Sequence, residues 1–272
     1  MIPPKIHYCW FGHNPKPELA QKCLESWKKH CPEYEIYEWN EDNMDLSACP
    51  LYVQEAYARK QWAFVTDYVR LKVVYGNGGI YLDTDVELLK PLDDLLNHAM
   101  FVGCEGTDHV NTGVGFGAEK GFGFLKENME VYEKMNPINE DGRFSANPCP
   151  YYTTSLLEKK GVSFPITSVL TMDDGMVIYP NAYFNPYDWK MDRLKITSET
   201  YSIHHYDASW MPESQKKSLI LEAKRRKIEK RFGKLAAKAY EFYFWSKKEN
   251  GGPGVMARLL NKMGVSQSGK KG

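Results

Sequence analysis

The stretch 62–89 constrains this chain more than any other part of its 272 residues. Phe64, Tyr68, Leu71 and Tyr75 recur three or four apart, so WAFVTDYVRLKVVY reads as a helix with one buried stripe. Gly76-Asn77-Gly78-Gly79 stops it, because glycine leaves a helix through left-handed backbone at least steric cost. IYLDTDVELL then reads as an apolar strand that carries two carboxylates, Asp83 and Asp85. Alternate strand residues share a face, so the two acids are expected side by side, inside the strand or at its end. Two buried like charges repel unless a shared proton or a cation relieves them, and a hard divalent cation with oxygen ligands is the simplest relief. Ligands of open α/β sheets also collect beyond the carboxyl ends of strands, where such a pair points. The competing reading is two solvated turn acids.

The flanking sequence builds an α/β chain around that segment. Residues 5–11 (KIHYCWF) read as an opening strand. Residues 17–30 follow as a helix with Leu19, Cys23 and Trp27 four apart, and 34–39 as an alternating second strand. A β-α-β opening favours a mostly parallel sheet covered by helices. Further strands are expected at 101–105, 112–118 and 201–206, and further helices at 121–135 and 152–160.

Charge separates the chain into a body, 1–212, a basic amphipathic helical extension, 213–260, and a frayed tail, 261–272. Residues 211–272 hold 16 Lys and Arg against 5 Asp and Glu, a net of +11, and residues 1–210 hold 19 against 30, a net of −11. An acidic body argues against a nucleic-acid binder, whose basic footprint belongs on the folded domain, so any anionic ligand there needs a metal or a few placed cations. The extension's apolar stripe could cap the main domain or pair with another subunit. Basic residues opposite aromatics, however, suit an anionic membrane surface, and a peripheral contact through 213–260 is expected. No apolar run approaches the 18 residues of a membrane span, and MIPPKIHYCWFG lacks the marks of a signal peptide. A cytoplasmic protein, at most peripheral at the inner face of the cytoplasmic membrane, is therefore expected. Six scattered cysteines without a C-x-x-C read as reduced, buried thiols.

The whole string WAFVTDYVRLKVVYGNGGIYLDTDVELLKPLDDLL resembles the D-x-D glycosyltransferases of capsular-polysaccharide synthesis, the family 32 type. It is more distantly similar to the glucosyltransferase domain of the large clostridial toxins. The resemblance spans residues 2–215. It implies a GT-A fold, Rossmann-like with a mostly parallel central sheet, a Mn²⁺ or Mg²⁺ ion and a UDP-sugar donor. It further implies a glycan or lipid-linked saccharide acceptor and retention of anomeric configuration. On that pattern Asp85 binds the ion, and Asp83 contacts ribose and metal. Asp67 and Arg70, three apart on the helix, are carried over to the donor ribose and sugar or phosphate, although such a pair also makes an ordinary intrahelical ion pair. Trp10, at the end of the first strand, is carried over as a stacking surface for uracil, with Tyr81 flanking the donor; both also suit a core. In H-x-x-x-S-W, His205 is carried over as the third metal ligand, preferred to His204 on its spacing to Trp210, and Ser209 and Trp210 close over the diphosphate. Asn111, heading NTGVGFGA, is placed beneath the transferred sugar. Asn147-Pro148-Cys149-Pro150 stands where the family shows Gly-Pro, a departure on the acceptor side.

Two rival functions share parts of this pattern. A haloacid-dehalogenase-like phosphatase also ends a strand in D-x-D and would recruit Asp173-Asp174, but it places that motif on its first strand. A non-catalytic carbohydrate-binding protein would use the abundant tryptophans and tyrosines, yet has no need of two acids beside Arg70 and a histidine.

Overall fold

The computed structural model describes residues 1–188 and 193–207, together with 221, 225, 228–229, 232–234 and 236–240. Its chain forms two units, Met1–Asp207 and Ala208–Gly272. In chain order the first unit runs β1 (Lys5–Cys9), α1 (Glu18–His30), β2 (Glu35–Trp39), α2 (Leu51–Ala58), α3 (Trp62–Asn77), β3 (Gly79–Tyr81) and β4 (Val86–Leu88). It continues through β5 (Met100–Glu105), β6 (His109–Val110), β7 (Phe116–Ala118), α4 (Gly123–Glu133), α5 (Cys149–Lys159) and β8 (Leu170–Thr171). The last elements are β9 (Met176–Tyr179), α6 (Asn181–Phe184), the short hairpin of β10 (Tyr187–Asp188) and β11 (Arg193–Leu194), and β12 (Ser202–His204).

The central sheet is ordered β2-β1-β3-β7-β5-β9-β8, with β6 hairpinned onto β5. β1 pairs parallel with β2 and β3, and β5 with β9, whereas β7 is antiparallel to both of its neighbours and β8 to β9. Five strands of the path therefore share one direction, and the mostly parallel α/β architecture expected of a GT-A fold is present. Period-2 alternation covers both faces: Ile6 and Tyr8 of β1 join one apolar cluster, Cys9 the other. The cluster under α2, α3, α4 and α5 takes Tyr52, Val69, Leu125 and Leu157, and the opposite one takes Trp27 of α1 and Phe184 of α6. Trp27 is fully buried, and its indole N–H donates to the Val86 carbonyl at 2.7 Å, which joins α1 to the segment just after the two acids.

Three expectations change in detail. Helix α3 is buried on nearly all sides, Val65, Asp67, Val69, Arg70 and Val73 included, because it lies between the sheet and other helices rather than at the surface. The strand read across 80–89 is two strands in different sheets, β3 in the central one and β4 paired antiparallel with β12. The acids occupy the turn between them. The strand read across 112–118 shortens to β7, with Asn111 to Gly115 forming a connection over the site.

Glycines make the step from α3 to β3 possible. Gly78 and Gly79 have φ of +68° and +111°, and a Cβ at Gly79 would lie 2.9 Å from both the Lys5 carbonyl and the His7 ring. His7 is buried with both ring nitrogens in use, Nε2 at 2.8 Å from the Gly78 carbonyl and Nδ1 accepting the Trp39 indole N–H at 3.1 Å. Burial lowers its pKa, so it stays neutral and fixes the turn that aims β3 at the site. In the second unit the described residues are helical on either side of Gly233, whose φ of +86° interrupts them, and Ile228, Ala236 and Ala237 pack with Tyr240. Most of 213–260 and all of the tail 261–272 lie outside the described residues.

Candidate active site

The turn that carries the acids is held on every side by backbone. Leu82 N–H donates to the His7 carbonyl (3.1 Å), Asp83 N–H to Gly113 (3.4 Å), and Val86 N–H closes the turn on Asp83 (3.0 Å). β4 then leaves the central sheet, and its pairing sets His204 opposite Val86. The late strand is thus drawn to the acids, where His205 N–H donates to the Asp85 carbonyl (3.0 Å) and Asp207 N–H to Asp85 Oδ2 (2.9 Å). One ligand atom each from Asp83, Asp85 and His204 lies within 4.8 Å of the others.

The histidine at the acids is His204, not His205. His204 Nε2 is 3.1 Å from Asp85 Oδ1, whereas His205 Nε2 meets Glu87 Oε2 at 2.8 Å beside Lys22. Strand geometry explains the exchange: neighbouring residues project to opposite sides, so only one of the two faces the site. Spacing to Trp210 does not register that alternation, and Ser209 and Trp210 themselves lie outside the described residues.

Electrostatics separates the three ligand candidates. Burial, with Asp85 adding repulsion, raises the Asp83 pKa despite Arg70. Burial acts against ionised Asp85 as well, but the charge and hydrogen bond of His204 and the Asp207 N–H outweigh it and lower its pKa. Burial would deprotonate His204, yet Asp85, Asp83 and Glu105 raise its pKa. The same acids thus favour positive charge at this point of the site. Among the described residues, its Nδ1 is buried with no hydrogen-bond partner. Two carboxylates and an imidazole that carries an unsatisfied buried nitrogen suit a divalent cation with mixed oxygen and nitrogen ligands.

Arg70 and Asp67 form the floor. The Arg70 guanidinium donates to Asp83 Oδ1 (3.2 Å), Thr66 Oγ1 (3.0 Å) and the Thr66 carbonyl (3.1 Å), and lies 3.4 Å from Asp67 Oδ1. The helical ion pair and the link to the D-x-D acids are thus both present. Burial pushes the Asp67 pKa up to about 6, against the pull of Arg70, and its carboxylate accepts the Cys149 backbone N–H at the start of α5. That bond satisfies one of the open donors of a helix N-terminus. The departure at Asn147-Pro148-Cys149-Pro150 thus closes on the site, and Cys149 Sγ lies 3.2 Å from Arg70.

The remaining expected residues divide. Tyr81 is 1% exposed; its ring lies under the Arg70 guanidinium and its hydroxyl donates to Asp83 Oδ1 at 3.1 Å, so it supports the acid and offers no face to a donor. Asn111 is buried, with Oδ1 accepting Gly113 N–H (2.6 Å) and Nδ2 donating to Glu105 Oε2 (2.7 Å). Gly113 has no room for a side chain, because a Cβ would lie 2.3 Å from Asp83 Oδ2 and 3.1 Å from Arg70. Trp10 is half-buried at the end of β1, its indole N–H donating to the Asn14 carbonyl at 2.6 Å. Asp173 and Asp174 are exposed in the turn between β8 and β9, and the D-x-D acids follow the third strand, not the first, which removes the phosphatase pattern. Glu105, Gly113 and Tyr206 were not singled out from sequence; the one available signal was Glu105 at the carboxyl end of an apolar strand.

The segment that carries the acids also matches a known family. Residues 17–102 match the family model described as the glycosyltransferase sugar-binding region containing DXD motif. The matched segment runs from α1 into β5 and holds Asp67, Arg70, Asp83 and Asp85, so this part of the chain is similar to the sugar-binding region of D-x-D glycosyltransferases. Among solved structures it is similar to the PaToxG glycosyltransferase, at 16% identity over 58% of this chain and 70% of that one, TM-score 0.45. A glycosyltransferase involved in glycosylation of the major capsid of PBCV-1 is similar at 14% identity over 75% and 94%, TM-score 0.43. The galactosyltransferase LgtC, solved with donor and acceptor sugar analogs, is similar at 12% identity over 79% and 94%, TM-score 0.33.

Proposed function

We propose that this chain transfers a hexosyl group from a UDP-sugar to a saccharide acceptor, with Mn²⁺ or Mg²⁺ held by Asp83, Asp85 and His204. The observation that carries the reading is the convergence of those three side chains, drawn from the β3–β4 turn and from β12, within 4.8 Å. Bound there, the ion would act as a Lewis acid that neutralises the donor diphosphate and makes it a better leaving group. Asp83 is the acid that Arg70, Tyr81 and Gly113 hold in place, and Asp85 the one that His204 and the Asp207 N–H keep ionised. Arg70 offers its fork to the anionic or hydroxylated part of the donor. Trp10 offers a flat surface to the uracil, and Asn111 its second amide N–H to a sugar hydroxyl.

Transfer with retention then proceeds by front-face substitution, with the departing phosphate accepting the proton of the incoming hydroxyl. Rate enhancement comes from positioning and fixed charge rather than from a covalent intermediate. A lipid-linked saccharide of surface or capsular polysaccharide is the acceptor class, and the basic segment 213–260 would contact the anionic membrane that holds it. Incubating the full chain with UDP-glucose, UDP-galactose, UDP-N-acetylglucosamine and GDP-mannose tests the donor reading. Mn²⁺-dependent UDP release from one UDP-sugar, stopped by EDTA, is expected. Failure of every donor to turn over, with or without metal, would overturn it.

A further inference from the structure

The carboxyl ends of β3 and β5 emerge at the same edge of the sheet, because both strands run antiparallel to β7 between them. Asp83 and Asp85 follow β3, and Glu105 ends β5. We propose that Glu105 is a positioning residue for sugar transfer: its carboxylate ties Asn111 on one side to Tyr206 on the other, and so fixes the amide beneath the sugar and the ring against His204. The assignment rests on the donor reading above.

The hydrogen bonds form one chain that converges on Glu105 from both sides. Asn185, fully buried, donates through Nδ2 to the Tyr206 hydroxyl at 2.5 Å, and that hydroxyl bonds to Glu105. From the other side Asn111 Nδ2 donates to Glu105 Oε2 at 2.7 Å. A carboxylate only accepts, which matches a hydroxyl and an amide N–H arriving together. Asn111 cannot turn its amide over, because Oδ1 already accepts Gly113 N–H at 2.6 Å and faces the Cys149 thiol at 3.5 Å. Glu105 thus decides how firmly the Asn111 amide, with its one remaining N–H, is held.

Tyr206 shows why the second tie matters. Its φ of +52° is left-handed, a conformation a bulky side chain holds only when its surroundings over-determine it. Its ring centroid lies 4.1 Å from that of His204. The hydroxyl anchored between Asn185 and Glu105 holds the ring in that place. Glu105 itself is half-buried at the end of β5.

Kinetics on Glu105→Gln and Tyr206→Phe tests this, using the UDP-sugar that turns over in the donor panel. Glu105→Gln keeps the size but turns a donor toward one of its partners. It is expected to lower kcat/KM for the UDP-sugar about tenfold to a hundredfold, chiefly in kcat. UDP binding with Mn²⁺ should stay within about threefold of wild type, and the melting temperature in EDTA within about 2 °C. The double variant should be no worse than Glu105→Gln alone, because both act through one chain of bonds. Wild-type kcat/KM in Glu105→Gln, or losses that multiply in the double variant, would overturn the assignment. A drop in melting temperature that accounts for the lost activity would overturn it in favour of a purely structural role. If the wild-type protein bound neither UDP nor Mn²⁺, the donor reading would fail first and take this assignment with it.

Discussion

His204 and His205 are chain neighbours of the same chemistry, and each lies against a carboxylate two residues from the other's. His204 meets Asp85 with side chains 8% and 18% exposed, and His205 meets Glu87 at 26% and 19%. The outer pair is charge-compensated, because Lys22, 59% exposed, shares the same Glu87 oxygen at 2.9 Å. The inner group is not. Asp67, Asp83, Asp85 and Glu105 gather there around one guanidinium and one imidazole. Residue type therefore does not distinguish a ligand site from a surface ion network; buried, uncompensated negative charge does.

The largest expected contrast is in catalysis. Asp85→Asn should lower metal-dependent turnover by about a hundredfold to a thousandfold, the size of effect seen when a group aimed at developing charge is removed. Glu87→Gln, two residues along β4, should change it less than about threefold. Similar losses in the two variants, read as UDP release under saturating Mn²⁺, would erase the distinction between the inner and outer groups.

Acidity gives the next contrast. Asp67 is raised to about 6, chiefly by burial, so its protonated form is favoured on folding. The stability this contributes is complete below the unfolded value near 3.8 and is lost as pH rises through about 6. Asparagine mimics the protonated acid without titrating. Asp67→Asn should therefore gain stability relative to wild type between pH 4 and pH 7 in EDTA, by up to about 3 kcal/mol for a two-unit shift. Glu87, with its pKa lowered by Lys22 and His205 in spite of partial burial, has the opposite sign: its contribution is present above about 4.5 and lost as pH falls. Denaturant melts of Asp67→Asn and Glu87→Gln across that range should diverge from wild type in opposite directions, and parallel curves would contradict the assignment of charge.

Metal affinity separates the histidines themselves. His204→Ala should weaken Mn²⁺ binding about tenfold to a hundredfold, and His205→Ala less than about threefold, measured by titration against melting temperature. Reversal of that order would return the metal to His205.

The inner group was largely legible in sequence, and the reasons for the exceptions are physical. Asp83, Asp85, Arg70 and Asp67 share one helix–turn–strand segment, where short-range periodicity and a glycine stop report their relation directly. His204 arrives from a strand that pairs with β4 across more than a hundred residues, and only the register of that pairing tells which of two histidines faces inward. Tyr81 reads equally as donor contact or core because its aromatic ring suits both; only its 1% exposure decides. Glu105 and Gly113 carried no signal of their own. An acid at a strand end and a glycine in NTGVG acquire meaning through what lies across space, the Asn111 amide in one case and the Asp83 carboxylate in the other. The β-α-β opening and the helices were readable because their apolar periods extend over whole elements; the division of 80–89 into two sheets was not, since both halves are apolar.

The smallest effect tests the compensated half of the comparison. Lys22 projects from α1 to Glu87, and the hydrogen bond and charge of that carboxylate raise its pKa, but the ammonium is almost wholly in water. Exposed ion pairs of this kind contribute about 0.2–1 kcal/mol and are screened by salt. Lys22→Ala should therefore lower the melting temperature by no more than about 2 °C at low ionic strength, with the difference vanishing near 1 M salt. Metal-dependent turnover should stay within about threefold of wild type, because Lys22 contacts the outer carboxylate, Glu87. A loss of Mn²⁺ binding in Lys22→Ala would instead mean that the inner and outer groups are one electrostatic unit, and the contrast between them would have to be redrawn.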